Sequence, residues 1–229
     1  MRPLRAISAV LVLSAIVAGV AVHESLLRIP ARWLPPDLRQ PPGMLAHLQL
    51  NGLSTDGVAC RAVLARADLK FTPLPDRDLG KGCGFKDVVR TEASPIAFNA
   101  RVTATCSMTA ALTWYQRMLD EIALRDLGTK VARIDQLGTY SCRNINSATS
   151  GSLSQHATAN AIDIAAFHLE DGRTVSVLAD YGKPTAAGKF LDDAHEAACG
   201  LFNIVLGPRF NRLHANHFHL DMGPFRFCR

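Results

Sequence analysis

Three of the eight histidines in this 229-residue chain fall within His214-Ala215-Asn216-His217-Phe218-His219, and a fourth sits in Ser154-Gln155-His156. Strand side chains alternate between faces, so a strand here places His217 and His219 together and turns Phe218 to the opposite, core side. Two imidazoles on one face suit a metal site or an acid/base pair. Alone, the H-x-H pattern is a weak signal, since on a strand edge it more often marks just two outward polar positions. The second segment, Ser154-Gln155-His156-Ala157-Thr158-Ala159-Asn160-Ala161-Ile162-Asp163-Ile164, pairs a histidine with a carboxylate seven residues on. Flanked by isoleucines, Asp163 is expected to be buried, where a charge needs a metal or a partner; capping a turn or pairing with an arginine are the plainer roles. A loop histidine, a strand carboxylate and a histidine of the last strand together make a set that zinc accepts, with a fourth position open to water. Elsewhere, His168 and His195 read as surface residues, His214 as a rim contact or a partner to a ligand, and His47 has no assigned role.

The elements that must position these groups are mixed. Asp56 suits the N-cap of a helix running to Ala67. Pro73, Pro75 and the glycines from Gly80 to Gly84 read as a loop, followed by strand-like runs over Asp87–Thr91 and Ile96–Thr105. Ala111, Leu112, Tyr115, Met118, Leu119 and Ile122 recur at helical spacing in a helix opening at Ser107, and Gly128 suits its stop. Val131–Tyr140 reads as a strand and Asn144–Gln155 as a polar loop. Ala161–His168 is strand-like, Asp171–Gly172 is a turn, and Val175–Leu178 is a further strand. Ala187–Phe202 is helical by spacing, and the final strands are Asn203–Leu206 and His217–Met222. Irregular mixing of helices and strands indicates an α+β fold with a small, mainly antiparallel sheet and helices packed around it.

Net charge is +5, but five arginines against Glu24 and Asp37 put +3 of this in residues 1–43. The nearly neutral remainder carries no Lys/Arg stripe, which argues against nucleic acid as a partner. Arg2 and Arg5 precede an uncharged, largely apolar run from Ala6 to Val22. As a helix it spans about 25 Å, at the short end for a bilayer. Residues 1–22 are therefore expected to be a signal-anchor or a cleaved signal peptide, with the bulk of the chain outside the cytoplasm. Residues 23–43, rich in proline, read as a semi-rigid linker to a domain over 44–229. All six cysteines follow that leader, which fits three disulfides in an oxidising compartment. Fifteen pairings are open; closeness in sequence favours Cys60–Cys83 and Cys199–Cys228. No C-x-x-C occurs, which disfavours a zinc ribbon or thioredoxin-type site.

The spacing H-x6-D followed by H-x-H resembles the zinc peptidase superfamily of lysostaphin-type enzymes, D-Ala-D-Ala carboxypeptidases and the hedgehog signalling domain. The wider wording resembles the bacterial extensin-like C-terminal domain, from about Gly52 to Arg229. It is carried by Cys83-Gly84, Tyr140-Ser141-Cys142-Arg143, the stretch around His156 and Asp163, Val205-Leu206-Gly207-Pro208 and His217-Phe218-His219-Leu220-Asp221. The resemblance implies a D-Ala-D-Ala peptidase/hedgehog-like fold and Zn2+ held by His156, Asp163 and His219. It also implies His217 as the non-ligand catalytic histidine and Arg143 as the group that steadies substrate or oxyanion, although Ser141-Cys142 separates Arg143 from the tyrosine it usually adjoins. Asn216 stands where some relatives carry a carboxylate base and cannot accept a proton. The implied function is a periplasmic zinc metallohydrolase cutting amide bonds of peptidoglycan peptides, anchored in the inner membrane or released if its leader is cleaved. A non-catalytic zinc-containing wall-binding or structural domain is the alternative, and a metal-free disulfide scaffold a third. Oligomeric state and the bond cleaved are not specified by these residues.

Overall fold

The computed structural model describes residues 34–229. The expected N-terminal helix over residues 1–22 lies outside the described residues, among which no helix is long and apolar enough to cross a membrane. The linker expected over 23–43 is described only from residue 34. Its last part is not a free spacer: Leu38 is buried in the core, and Trp114 Nε1 donates to Gln40 O at 2.8 Å.

Two short helices, α1 (Ala46–Leu53) and α2 (Gly57–Leu64), lead into β1 (Lys70–Pro73), the hairpin β2 (Arg77–Gly80) and β3 (Cys83–Phe85), then β4 (Val88–Ala93), β5 (Ala97–Phe98) and β6 (Thr103–Thr105). The long helix α3 (Cys106–Leu127) follows, then β7 (Val131–Gly138), β8 (Ala161–Leu169), β9 (Thr174–Ser176), the single turn α4 (Val177–Asp180) and α5 (Ala186–Leu201). β10 (Ile204–Leu206), β11 (Phe218–Asp221) and β12 (Phe227–Cys228) end the chain. The main sheet runs β12-β10-β11-β8-β7-β5, with β9 also on β8; β1-β4-β6 form a second sheet. Pairing is antiparallel except at β10–β12 and β5–β7. The fold is α+β, as composition and periodicity indicate.

Local chemistry explains the elements. Asp56 caps α2 by accepting from Ala59 N at 2.9 Å. Thr105 caps α3 by accepting from Met108 N, and Gly128 ends it in the left-handed conformation (φ 72°). Such an αL residue at a helix end is where glycine avoids the Cβ penalty. α1 has no side-chain cap, since Leu45 holds its N-cap position, so its start carries no polar signature. Pro73 ends β1, an edge strand, where a missing N–H costs no ladder bond.

The core lies between the sheet and helices α3 and α5. Ile162, Ile164, Phe218 and Leu220 are fully buried there, and Phe167 meets Phe190 edge-on at 5.2 Å. Burying each such side chain contributes about 1.5–3 kcal/mol. Three disulfides, Cys60–Cys106, Cys83–Cys142 and Cys199–Cys228, leave no free cysteine. The expected Cys199–Cys228 bridge is present; the expected Cys60–Cys83 bridge is not. Cys60 on α2 meets the first residue of α3, with Cα atoms 6.1 Å apart. Helix packing, not chain proximity, decides that pairing.

Candidate metal centre

Antiparallel register sets His219 of β11 directly opposite Asp163 of β8, with Phe218 opposite Ile164 and Leu220 opposite Ile162. The apolar residues of both strands face the helices, so His219 and Asp163 share the other face, and Asp221 continues it two residues on. His156 arrives from a 3-10 turn over Gln155–Thr158. Ser154 Oγ accepts from His156 N at 3.3 Å, and Ser141 N donates to His156 O at 3.1 Å. Below the turn, Asn160 Nδ2 donates to Gln155 Oε1 and Thr105 Oγ1 donates to Asn160 Oδ1, both at 2.8 Å. Ala159 closes the turn in the left-handed region (φ 55°), a conformation that costs an alanine roughly 1–2 kcal/mol. That cost is borne where it aims His156.

His156 Nε2, Asp163 Oδ1 and His219 Nδ1 converge. The two nitrogens are 3.2 Å apart, Asp163 Oδ1 is 3.2 Å from His156 Nε2, and it is 3.0 Å from His219 Nδ1. Tetrahedral zinc with ligands at about 2.0–2.1 Å sets neighbouring donors about 3.3 Å apart. The donor types and spacing fit zinc, and the three expected ligands are the three brought together. Asp221, 3% exposed, accepts from His219 Nε2 at 2.9 Å and from Gly223 N at 2.8 Å. In the neutral ring that a metal requires, the proton that Asp221 accepts stays on Nε2, so Nδ1 carries the lone pair that faces the cluster. Asp221 had no role in the sequence reading. Its signal was continued alternation, His217-x-His219-x-Asp221.

The charges are tightly coupled. Burial alone would raise the Asp163 carboxyl, but hydrogen bonds and positive charge from His156 and His219 hold it far below the usual carboxylate range. Burial alone would lower His219; its bonds to Asp163 and Asp221 outweigh this and push it up to about 9. His217 stands just before β11 with Nε2 3.6 Å from Asp163 Oδ1 and Nδ1 2.8 Å from Asn216 Oδ1. Burial pushes His217 down; Asp163 opposes this, and the positive charges of His219, His156 and Arg143 add to the lowering. Asn216, which cannot act as a base, is thus an acceptor for the Nδ1–H of His217, leaving its Nε2 free toward the cluster. His214 Nδ1 is likewise bonded to Asn211 Oδ1 at 2.8 Å. Burial, then the charges of His217 and His219, push His214 down to about 4.

Arg143 lies half-buried next to the Cys83–Cys142 bridge, near enough for its charge to act on both His214 and His217. His168 meets Asp135 at 2.6 Å on a partly exposed strand position. His195, expected at the surface, is buried: its Nε2 donates to Arg229 O at 3.2 Å and its ring packs on Phe218 at 5.3 Å. It also neighbours Cys199 and Cys228, but their disulfide leaves no thiolate to bind a metal.

Neither a curated protein nor a solved structure matches this chain. Residues 58–229, covering every group of the cluster, match the family described as extensin-like protein C-terminus, and the chain belongs to that family.

Proposed function

We propose that the chain is a zinc metallohydrolase of the D-Ala-D-Ala peptidase/hedgehog-like superfamily, acting on amide bonds of peptidoglycan peptides in the periplasm. The observation that carries this reading is the convergence of His156 Nε2, Asp163 Oδ1 and His219 Nδ1 at 3.0–3.2 Å, on a face of the sheet away from the core. Bound there, zinc supplies a Lewis acid and lowers the pKa of water toward about 7. The chain's own groups do the rest. His217 Nε2, aimed at the cluster with Nδ1–H held by Asn216, takes a proton and returns it to the leaving amine. Its lowered pKa keeps it neutral, and so able to accept, near pH 7. Arg143, with no ion-pair partner among the described residues, offers donors to a developing oxyanion. Asp221 keeps His219 in the tautomer that binds metal.

The membrane anchor and periplasmic location rest on Arg2, Arg5 and the run Ala6–Val22, and on six cysteines all paired as disulfides. A second reading, a wall-binding domain that keeps zinc for stability, is favoured by the asparagine at position 216. Metal analysis and muropeptide digestion separate the two. The hydrolase reading expects about one zinc per chain, lost in Asp163→Ala and His219→Ala, together with new amine termini on digestion. Zinc without digestion leaves the binding domain; near-normal zinc in both variants refutes the ligand set.

A further inference from the structure

A cavity of about 700 Å³ borders the turn that carries His156. It is the size of small-molecule sites, about 300–1,000 Å³. Thr158 of that turn and Asn160 just beyond it line the cavity, while His156 does not. Cys83 and Cys106, each held in a disulfide, and the buried Leu53 are among its lining residues. Ser107 lines the cavity at 3% exposure, and its hydroxyl has only a 3.5 Å approach to Thr105 Oγ1. A buried hydroxyl so poorly partnered is a donor and acceptor left for a ligand.

The wall chemistry narrows the ligand. Phe85, half-buried and edge-on to Tyr140 at 4.9 Å, offers a ring to an apolar ligand face. Asp87, bonded to Arg61 through Oδ1 at 2.9 Å, keeps a second oxygen to accept from ligand hydroxyls. Among the lining residues, Arg77 and Lys86 are balanced by Asp76 and Asp78. With Asp87 also paired to Arg61, charge of neither sign is in surplus, which disfavours a phosphate or a polyamine. An aromatic ring, hydroxyls, a carboxylate acceptor and no net field suit a molecule with an apolar face and a rim of hydroxyls. We propose that this cavity is a saccharide subsite that takes one or two uncharged pyranose rings. It does not rest on the hydrolase reading, since no metal ligand lines it.

The test is calorimetric titration of the full chain with N-acetylglucosamine oligomers, before and after removal of metal by chelator. Saturable binding is expected in both states, weakened about tenfold or more by Phe85→Ala and by Ser107→Ala, with melting temperature recorded for each variant. His219→Ala should bind the oligomer as wild type does. Absence of binding to wild type, or unchanged binding in a folded Ser107→Ala, overturns the proposal. So does loss of binding in His219→Ala, which would put the sugar on the histidine cluster. Failure of the hydrolase reading shows separately, in zinc content and digestion, and leaves the metal-free titration unaffected.

Discussion

Asp221→Asn isolates the support of one proposed metal ligand, His219, from the ligand itself. The native carboxylate receives two hydrogen bonds, from His219 Nε2 at 2.9 Å and Gly223 N at 2.8 Å, and its residue is 3% exposed. Asparagine keeps the shape but offers one oxygen and one NH2 group. A Cβ on Gly223 would come 3.0 Å from Asp221 Oδ1, so backbone and side chain already pack closely there. If Gly223 N keeps the oxygen, the new NH2 faces His219 Nε2 and can be satisfied only by a lone pair there. The His219 proton then moves to Nδ1, the atom that faces His156 and Asp163. Partners of metal-bound histidines typically contribute 10–100-fold in affinity, or about 1.4–2.7 kcal/mol. Competition for zinc against a chromophoric chelator at pH 7 should show a loss in that range, with Asp221→Asn still folded by circular dichroism. His219→Ala should lose zinc far more completely. Wild-type affinity in Asp221→Asn would refute the tautomer reasoning. Loss as complete as in His219→Ala would make Asp221 a ligand in its own right.

Three further outcomes are expected. His217→Ala should keep zinc and melting temperature yet lose hydrolysis by about a hundredfold or more; Asn216→Asp, which strengthens the acceptor for His217 Nδ1–H, should match or raise wild-type rates, and zinc loss in His217→Ala would reassign that residue. In chelator-treated protein, His214 is pushed down to about 4 from an ordinary 6.5, so its neutral form contributes stability that is present above about pH 6.5 and lost as pH falls through about 4. The difference is on the order of 3 kcal/mol, and His214→Phe should flatten the pH dependence of denaturant midpoints over that window; an unchanged slope refutes the assignment. Replacing both Cys83 and Cys142 by serine should cost about 2–5 kcal/mol in denaturant melts and, by freeing the chain beside Arg143, lower hydrolysis more than zinc content; equal losses of both would count against a substrate role for Arg143.

What the sequence discloses about this site follows from which constraints are local. Period-2 alternation is local, so the shared face of His217 and His219 was legible. The same rule extended two residues would have reached Asp221, whose buried carboxylate between Leu220 and Met222 repeats the pattern around Asp163. The end of α3 at Gly128 was equally local, fixed by a residue free to take φ 72°. Strand register is not local. That His219 sits opposite Asp163 and not opposite Ile162 depends on burying Phe218 and Leu220 against α3 and α5, and a shift of one residue would send His219 into the core. Burial of the apolar face therefore selects the register, and the register assembles the donor set. The expected Cys60–Cys83 bridge fails for the same reason, since Cys60 finds Cys106 through helix packing that chain distance does not encode, whereas Cys199 and Cys228 do pair as their closeness in sequence suggests. His195 is buried and not at the surface because its helix turns it onto Phe218, the residue that anchors β11 from beneath. Gly207 presses on the same pair, a Cβ there coming 3.2 Å from both His195 and Phe218. His195, Gly207 and Phe218 thus hold from the core side the strand whose other face presents His219. Precision at the donor set depends on packing that contains no ligand at all.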